Sequence, residues 1–371
     1  MTEKYNQGFT LTLSMIKFLL VLFLFALGSC EKDVENGNYR IIKEEDFKII
    51  SITSEKHYFE EIINPANIGF VGGKVLISEA WRVPEEHPRM HIIDPTGWRY
   101  DKPKGKHGEG PLEITDASLF YKGKDSDTFW TYSMNRRKLV EYSLSDATLL
   151  GKSEWKMTES MMNIWFLTQA TDSTYLGISK DDKNRILEFD TAGTKIGGYG
   201  GWEKIADRPE LNDYQLAELN SGFFKGNRDE GLFIRVGLRR DRLEIFDNRD
   251  KSFIVIDGPD MELPPFELMD AGGKEHLYLG PDPRYHYRDA VVTEKYIFAL
   301  YAGVRHSEFN KTALLAEQIW VFDHKGNPLW KLLLDRSIIN FVVNEATDEI
   351  YGLTTDEDPG IAVFRIPKEL L

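Results

Sequence analysis

The stretch Ile319-Trp320-Val321-Phe322-Asp323-His324-Lys325-Gly326-Asn327 decides the fold. It reads as an apolar strand closed by an acidic residue and a tight turn. The aspartate can accept hydrogen bonds from the backbone that follows it, and glycine supplies the positive φ that a short hairpin requires. The same unit recurs as Met90-His91-Ile92-Ile93-Asp94-Pro95-Thr96-Gly97, as Ile186-Leu187-Glu188-Phe189-Asp190-Thr191-Ala192-Gly193 and as Leu243-Glu244-Ile245-Phe246-Asp247-Asn248. Weaker copies are Leu139-Val140-Glu141-Tyr142-Ser143 and Ile361-Ala362-Val363-Phe364-Arg365. Six copies over about 280 residues give a period near the roughly 40–50 residues of propeller blades, stretched by insertions.

The expected fold is therefore all-β, a six-bladed β-propeller over residues 46–371; a β-sandwich with coincidental hairpins is the alternative. A second repeat lies upstream in the blades, where Asp116-Ala117-Ser118-Leu119 and Asp289-Ala290-Val291-Val292 each open an apolar strand. Their small residues suit an innermost strand, crowded at the central axis. The last blade shows only three strands, beginning near Ile338, Glu349 and Ile361. The segment Phe47–Ile52 is expected to complete it as an outer fourth strand, closing the ring without a disulfide. Insertions interrupt the rhythm at Trp202–Leu219, with a short helix expected around Asp213–Leu219, and at His306–Glu317.

The chain begins with a segment of different character. Met15-Ile16-Lys17, an apolar run from Phe18 to Ala26, and Leu27-Gly28-Ser29-Cys30 form the three parts of a secretory signal over residues 1–29. Met15 alone can begin it. The run is about half the roughly 20 residues a membrane-spanning helix needs. Cys30, the only cysteine, follows two small residues and resembles the lipidated cysteine of the bacterial lipobox; an uncleaved signal with an incidental cysteine is the alternative. Acylation there would tether a soluble body to a membrane, since each buried lipid CH₂ contributes about 0.8 kcal/mol. Residues 30–45 open with the polar run Glu31-Lys32-Asp33-Val34-Glu35-Asn36-Gly37-Asn38, which reads as a flexible tether. The expected location is the cell envelope, as an outer-membrane lipoprotein.

Charge narrows the partners. The formal net charge of −14, from 46 basic and 60 acidic residues, argues against binding a nucleic acid backbone. With one cysteine, disulfides within the chain are excluded.

Tyr287-Arg288-Asp289-Ala290-Val291-Val292-Thr293-Glu294-Lys295-Tyr296-Ile297-Phe298-Ala299-Leu300-Tyr301-Ala302-Gly303 resembles the late-blade signature of TolB-like six-bladed propeller lipoproteins of Bacteroidota. So does Ile319–Pro328 with the strand that follows to Leu334-Asp335. Gly108-Glu109-Gly110-Pro111 with Glu113 is similar to that family's Gly-x-Gly-Pro-Gly-Glu turn, with Leu112 in place of a glycine. The resemblance implies the fold and an envelope location. It brings no catalytic residues.

Two loops that precede inner strands are rich in binding chemistry: Arg284-Tyr285-His286-Tyr287-Arg288 and Lys106-His107-Gly108-Glu109-Gly110-Pro111. Candidate ligand-binding residues are His107, Glu109, Arg284, Tyr285, His286 and Arg288, which can hold a carboxylate or a sugar hydroxyl beside tyrosine rings. The alternative is that they tie blades together. His87 and His91 have ligand-like spacing but no third ligand nearby in the sequence, so no metal or cofactor is expected. Arg239-Arg240-Asp241-Arg242 reads as a solvated turn, and Asp356-Glu357-Asp358 as a solvated acidic cluster. No nucleophile elbow or phosphate-binding glycine loop is present. The expected function is a lipid-anchored binding module for a glycan, a peptide or an envelope protein. A hydrolase or lyase at the propeller mouth and a structural subunit are the alternatives; the hydrolase or lyase requires His107, Glu109, His286 and Arg288 to converge.

Overall fold

The computed structural model describes residues 38–260 and 263–371. The signal segment, Cys30 and the first part of the tether lie outside the described residues. The aspartate turns form as their chemistry dictates. Asp323 accepts hydrogen bonds from the backbone N–H of Lys325 (2.9 Å) and Asn327 (2.8 Å), and Gly326 turns the chain at φ 73°. Asp94 accepts from Thr96 N–H, Asp190 from Thr194 N–H and Asp247 from Arg249 N–H, each at 2.8–2.9 Å. At the weaker copy, Ser143 Oγ does the same work for Ser145 and Asp146.

These hairpins build antiparallel sheets that follow one another along the chain. The first holds Pro65–Val71, Lys74–Glu79, Met90–Asp94 and Arg99–Lys104. The second holds Leu119–Lys122, Thr128–Ser133, Lys138–Ser143 and Ser153–Lys156. The third holds Ile164–Gln169, Thr174–Ser179, Asn184–Asp190 and Lys195–Gly201. The fourth holds Gly222–Asn227, Leu232–Gly237, Arg242–Asp247 and Ser252–Asp257. The last sheet is eight-stranded, and its halves share one 17-residue strand, Pro328–Asn344. The early part of that strand pairs with Ala316–Asp323, and the late part with Glu349–Thr354.

Apolar clusters fill each seam between consecutive sheets. Leu76 and Ile92 of the first sheet pack with Phe129 and Val140 of the second. Tyr132 and Leu139 meet Leu167 and Phe189 in the next seam, and Leu176 meets Phe233 and Phe246 in the one after. Ile234 and Ile245 pack against Trp320 and Tyr287. Leu300 and Val321 pack against Phe341 and Ile350 across the two halves of the long sheet. Tyr351 and Leu353 then return to Ile68, Val75 and Ile77 of the first sheet. The sheets thus close a ring, an all-β propeller in which each blade buries its two faces against its neighbours.

Innermost strands are tied directly. Asn340 Nδ2 donates to Ala66 O (2.6 Å), and Asn67 Nδ2 donates to Ala117 O (3.1 Å). Asp289 takes Lys225 Nζ at 2.6 Å and accepts from Phe341 N–H at 3.1 Å, so one carboxylate joins three blades. Asp116 instead anchors its own sheet, accepting from Ser133 Oγ (2.7 Å) and Met134 N–H (2.8 Å).

Closure differs from the expectation. Ser54–His57, not Phe47–Ile52, pairs antiparallel with Ile361–Arg365 as the outer strand, in the register Ile361 to His57 and Phe364 to Ser54. Lys48–Ile52 runs parallel along Trp330–Leu334. The reason is packing: Phe47 and Ile52 are buried, Phe47 lying 5.0 Å from Trp320 and 5.5 Å from Phe322, ring to ring. An outer edge needs polar residues facing water, which Ser54-Glu55-Lys56-His57 supplies.

Asp213–Leu219 is helical, started by Asn212, whose side chain accepts from Gln215 N–H at 3.0 Å while Gln215 accepts from Asn212 N–H at 3.0 Å. A second short helix, His306–Thr312, occupies the later insertion. Among the described residues no helix is long and apolar enough to cross a membrane.

Candidate functional site

In each sheet the start of the inner strand and the turn between the second and third strands lie on one face. Hydrogen bonds join them: His286 N–H donates to Leu238 O (2.9 Å), Leu238 N–H to Ser221 O (2.9 Å), and Ile63 N–H to Glu79 Oε1 (2.8 Å). This face carries the candidate chemistry.

Between the third and fourth sheets it holds a cavity of about 250 Å³ with mainly apolar walls, formed by Trp165, Phe166, Trp202, Phe223 and Leu238. Phe166 and Phe223 meet edge to face at 6.1 Å. Trp165 is 41% exposed, and Lys180 Nζ lies 4.1 Å from its ring centroid. Arg235 lines the floor over Trp202 (4.8 Å), with its charge met by Glu244 at 2.8 Å.

Arg288 continues the wall. Its guanidinium carbon is 5.2 Å from the Phe223 centroid and 5.5 Å from that of Tyr285; Arg239 lies 4.8 Å from the Tyr285 ring. Burial pushes the Arg288 guanidinium below its ordinary pKa, against the opposing pull of Tyr285 and Asp289. Among the described residues neither Arg288 Nε nor one terminal nitrogen of Arg239 has a hydrogen-bond partner. Buried arginine nitrogens without acceptors are costly, and an anionic ligand group would relieve that cost.

The sequence candidates divide. Arg288 packs over Phe223, one wall of the cavity, and Tyr285 packs against Arg288. Arg284 and His286 instead share Asp260, at 3.5 and 3.1 Å, and Tyr285 Oη lies 2.7 Å from His306 Nδ1. Burial lowers the His286 pKa despite its bond to Asp260. His107 and Glu109 sit in the loop ahead of the second sheet, where Glu109 pairs with Arg136 at 2.9 Å. No hydrogen bond or ion pair among the described residues joins that loop to Arg284–Arg288.

Trp165, Phe166, Phe223 and Trp202 were missed, though a signal existed. Ile164-Trp165-Phe166-Leu167 and Phe223-Phe224 are unbroken apolar runs on inner strands, where strict alternation would place every second residue toward the channel. The expectation that His87 and His91 lack a third partner is also corrected. The register Ile77 to His91 sets Glu79 beside them, with Glu79 Oε1 3.2 Å from His87 Nε2 and 3.0 Å from His91 Nε2.

Residues 96–346 match the family described as TolB-like 6-blade propeller-like. Among solved structures, a protein of Bacteroides fragilis NCTC 9343 described as exported aligns at TM-score 0.51 and 11% identity, over 86% of this chain and all of its own. The β-propeller domain of Cps50 (Swd1) from Myceliophthora thermophila aligns at TM-score 0.46 and 8% identity, over 85% of this chain and all of its own. The extracellular domain of a one-component system of B. thetaiotaomicron aligns at TM-score 0.43 and 9% identity, over 83% of this chain and 34% of its own. At such identities the first likeness speaks for the fold alone. No curated protein matches.

Proposed function

Because this chain belongs to the TolB-like 6-blade propeller family, we propose that it is a ligand-binding propeller of the cell envelope, with its site in the cavity between the third and fourth sheets. Six blades follow if the eight-stranded sheet counts as two, a reading supported by its shared strand and by the six apolar seams. The lipobox-like Leu27-Gly28-Ser29-Cys30 supports a lipid anchor at the outer membrane.

One observation carries the binding reading: a half-exposed Trp165 and the rings of Phe166 and Phe223 line one cavity, and Arg288, which has an unpartnered nitrogen, packs over Phe223. Aromatic faces hold the apolar face of a sugar ring, and a guanidinium holds a carboxylate in two parallel bonds. The ligand is therefore an acidic glycan presenting one ring to the cavity. At about 250 Å³ the space is smaller than the roughly 300–1,000 Å³ of drug-sized pockets, which suits a single ring.

The test is a melting-temperature screen of the full chain against acidic and neutral glycans, followed by titration of Trp165→Ala and Arg288→Ala. An acidic glycan should raise the melting temperature by mass action. Each variant should weaken it about tenfold, which corresponds to about 1.4 kcal/mol. If no glycan binds, or if binding survives both substitutions, the site is not there, and a peptide or envelope-protein ligand takes precedence.

A further inference from the structure

We infer that Glu79, His87 and His91 form a binding site for a zinc-type divalent cation. The three groups come from different parts of the first sheet: Glu79 ends the second strand, His91 lies in the third, and the loop between them folds His87 back onto both. Two imidazoles and a carboxylate are a familiar zinc donor set that leaves a fourth position open.

The spacing fits a shared ion. Two ligands at about 2.0–2.1 Å from a tetrahedral zinc stand roughly 3.3 Å apart. Here Glu79 Oε1 is 3.2 Å from one Nε2 and 3.0 Å from the other, and the three ligand atoms all lie within 4.8 Å of one another. Hydrogen bonding alone serves the carboxylate unevenly. Oε1 would accept from both imidazoles and from Ile63 N–H, while Oε2 accepts from Asn64 N–H at 2.7 Å. One cation in place of two imidazole protons spreads that load.

The surroundings hold the ligands in place. His91 and Glu79 have fully buried side chains, and His91 Nδ1 lies 3.0 Å from Tyr100 Oη. Tyr100 Oη can accept a hydrogen bond from Nδ1–H once Nε2 binds the ion, the outer-shell partner that orients a metal-bound histidine. The His87 side chain is 18% exposed, which gives the ion an entry path and a water its place. Two imidazole nitrogens beside a single carboxylate favour zinc-type over calcium-type ions, which prefer all-oxygen donor sets.

The experiment titrates the chelator-treated full chain with zinc and cobalt by calorimetry and visible absorption, with magnesium and calcium as comparisons. The expected result is one zinc per chain, a cobalt band typical of four-coordination that zinc displaces, and no response to magnesium or calcium. His87→Ala should still fold but weaken zinc at least tenfold, with a lowered metal-free melting temperature because its ring bonds the buried Glu79. Tyr100→Phe should cost about tenfold through His91. Absence of one-to-one binding overturns the site. So does zinc uptake that is undiminished in folded His87→Ala, which would place the ion on other surface histidines.

Discussion

Glu244→Gln is expected to destabilise the protein by about 3–5 kcal/mol, the largest loss from any single charge change in the fold. Glu244 is 4% exposed and lies between two arginines: Arg235 opposite it on the neighbouring strand (2.8 Å) and Arg185 from the preceding sheet (2.9 Å). Burial pushes its carboxyl up, but Arg235, Arg185 and Arg242 more than offset this and hold it down to about 2. Removing the charge leaves two largely buried cations without their counter-charge. Part of the loss is avoided if one arginine is also neutralised, so Glu244→Gln with Arg185→Met should recover stability relative to Glu244→Gln alone. Thermal melts should show a fall on the order of 10 °C for the single variant. A loss below about 1 kcal/mol would mean that this seam is hydrated.

Asp241→Asn should act in the opposite direction. Burial raises the Asp241 carboxyl to about 7, against hydrogen bonds from Asp260 N–H (3.0 Å) and the Tyr301 hydroxyl (3.4 Å) that favour the anion. The Tyr287 hydroxyl favours the anion as well. With the folded value above the unfolded one, the folded state binds the extra proton. The contribution is therefore complete below about pH 4 and is lost as pH rises through about 7. That loss amounts to up to about 4 kcal/mol, which asparagine, neutral throughout, avoids. Denaturant melts at pH 5 and pH 8 should show Asp241→Asn gaining most at pH 8. An equal effect at both pH values would show that the carboxyl is ionised throughout. Glu244 titrates with the opposite sign: its stabilisation is present above about 4.5 and is lost as pH falls toward 2.

The legible parts of this molecule were local. Asp94, Asp190, Asp247 and Asp323 each bond to backbone only two to four residues away, so a repeat of that chemistry is visible in the chain itself. The helix at Asp213–Leu219 carries its own start in Asn212 and Gln215. What escaped depends on partners distant in sequence. Ser54–His57 has no apolar pattern because an outer edge faces water, and only Ile361–Arg365 makes it a strand. The strand ending at Leu334-Asp335 and the one beginning near Ile338 are a single long strand, Pro328–Asn344. At the site, Tyr285 and Arg288 were visible as a cluster. Phe166 and Phe223 were not, because they meet only across a blade seam, and Glu79 joined the histidines only through strand register.

The edge formed by Ser54–His57 also sets a clock. Its partner strand is encoded about 300 residues later, so the ring stays open until Ile361–Arg365 has left the ribosome. At roughly 5–20 residues per second, that interval lasts on the order of half a minute. Throughout it the early strand has unpaired backbone groups, the condition under which sheet edges join other chains. A cell making this protein must therefore keep the nascent chain apart from its copies until Ile361–Arg365 arrives, and the polar Ser54-Glu55-Lys56-His57 is suited to that wait.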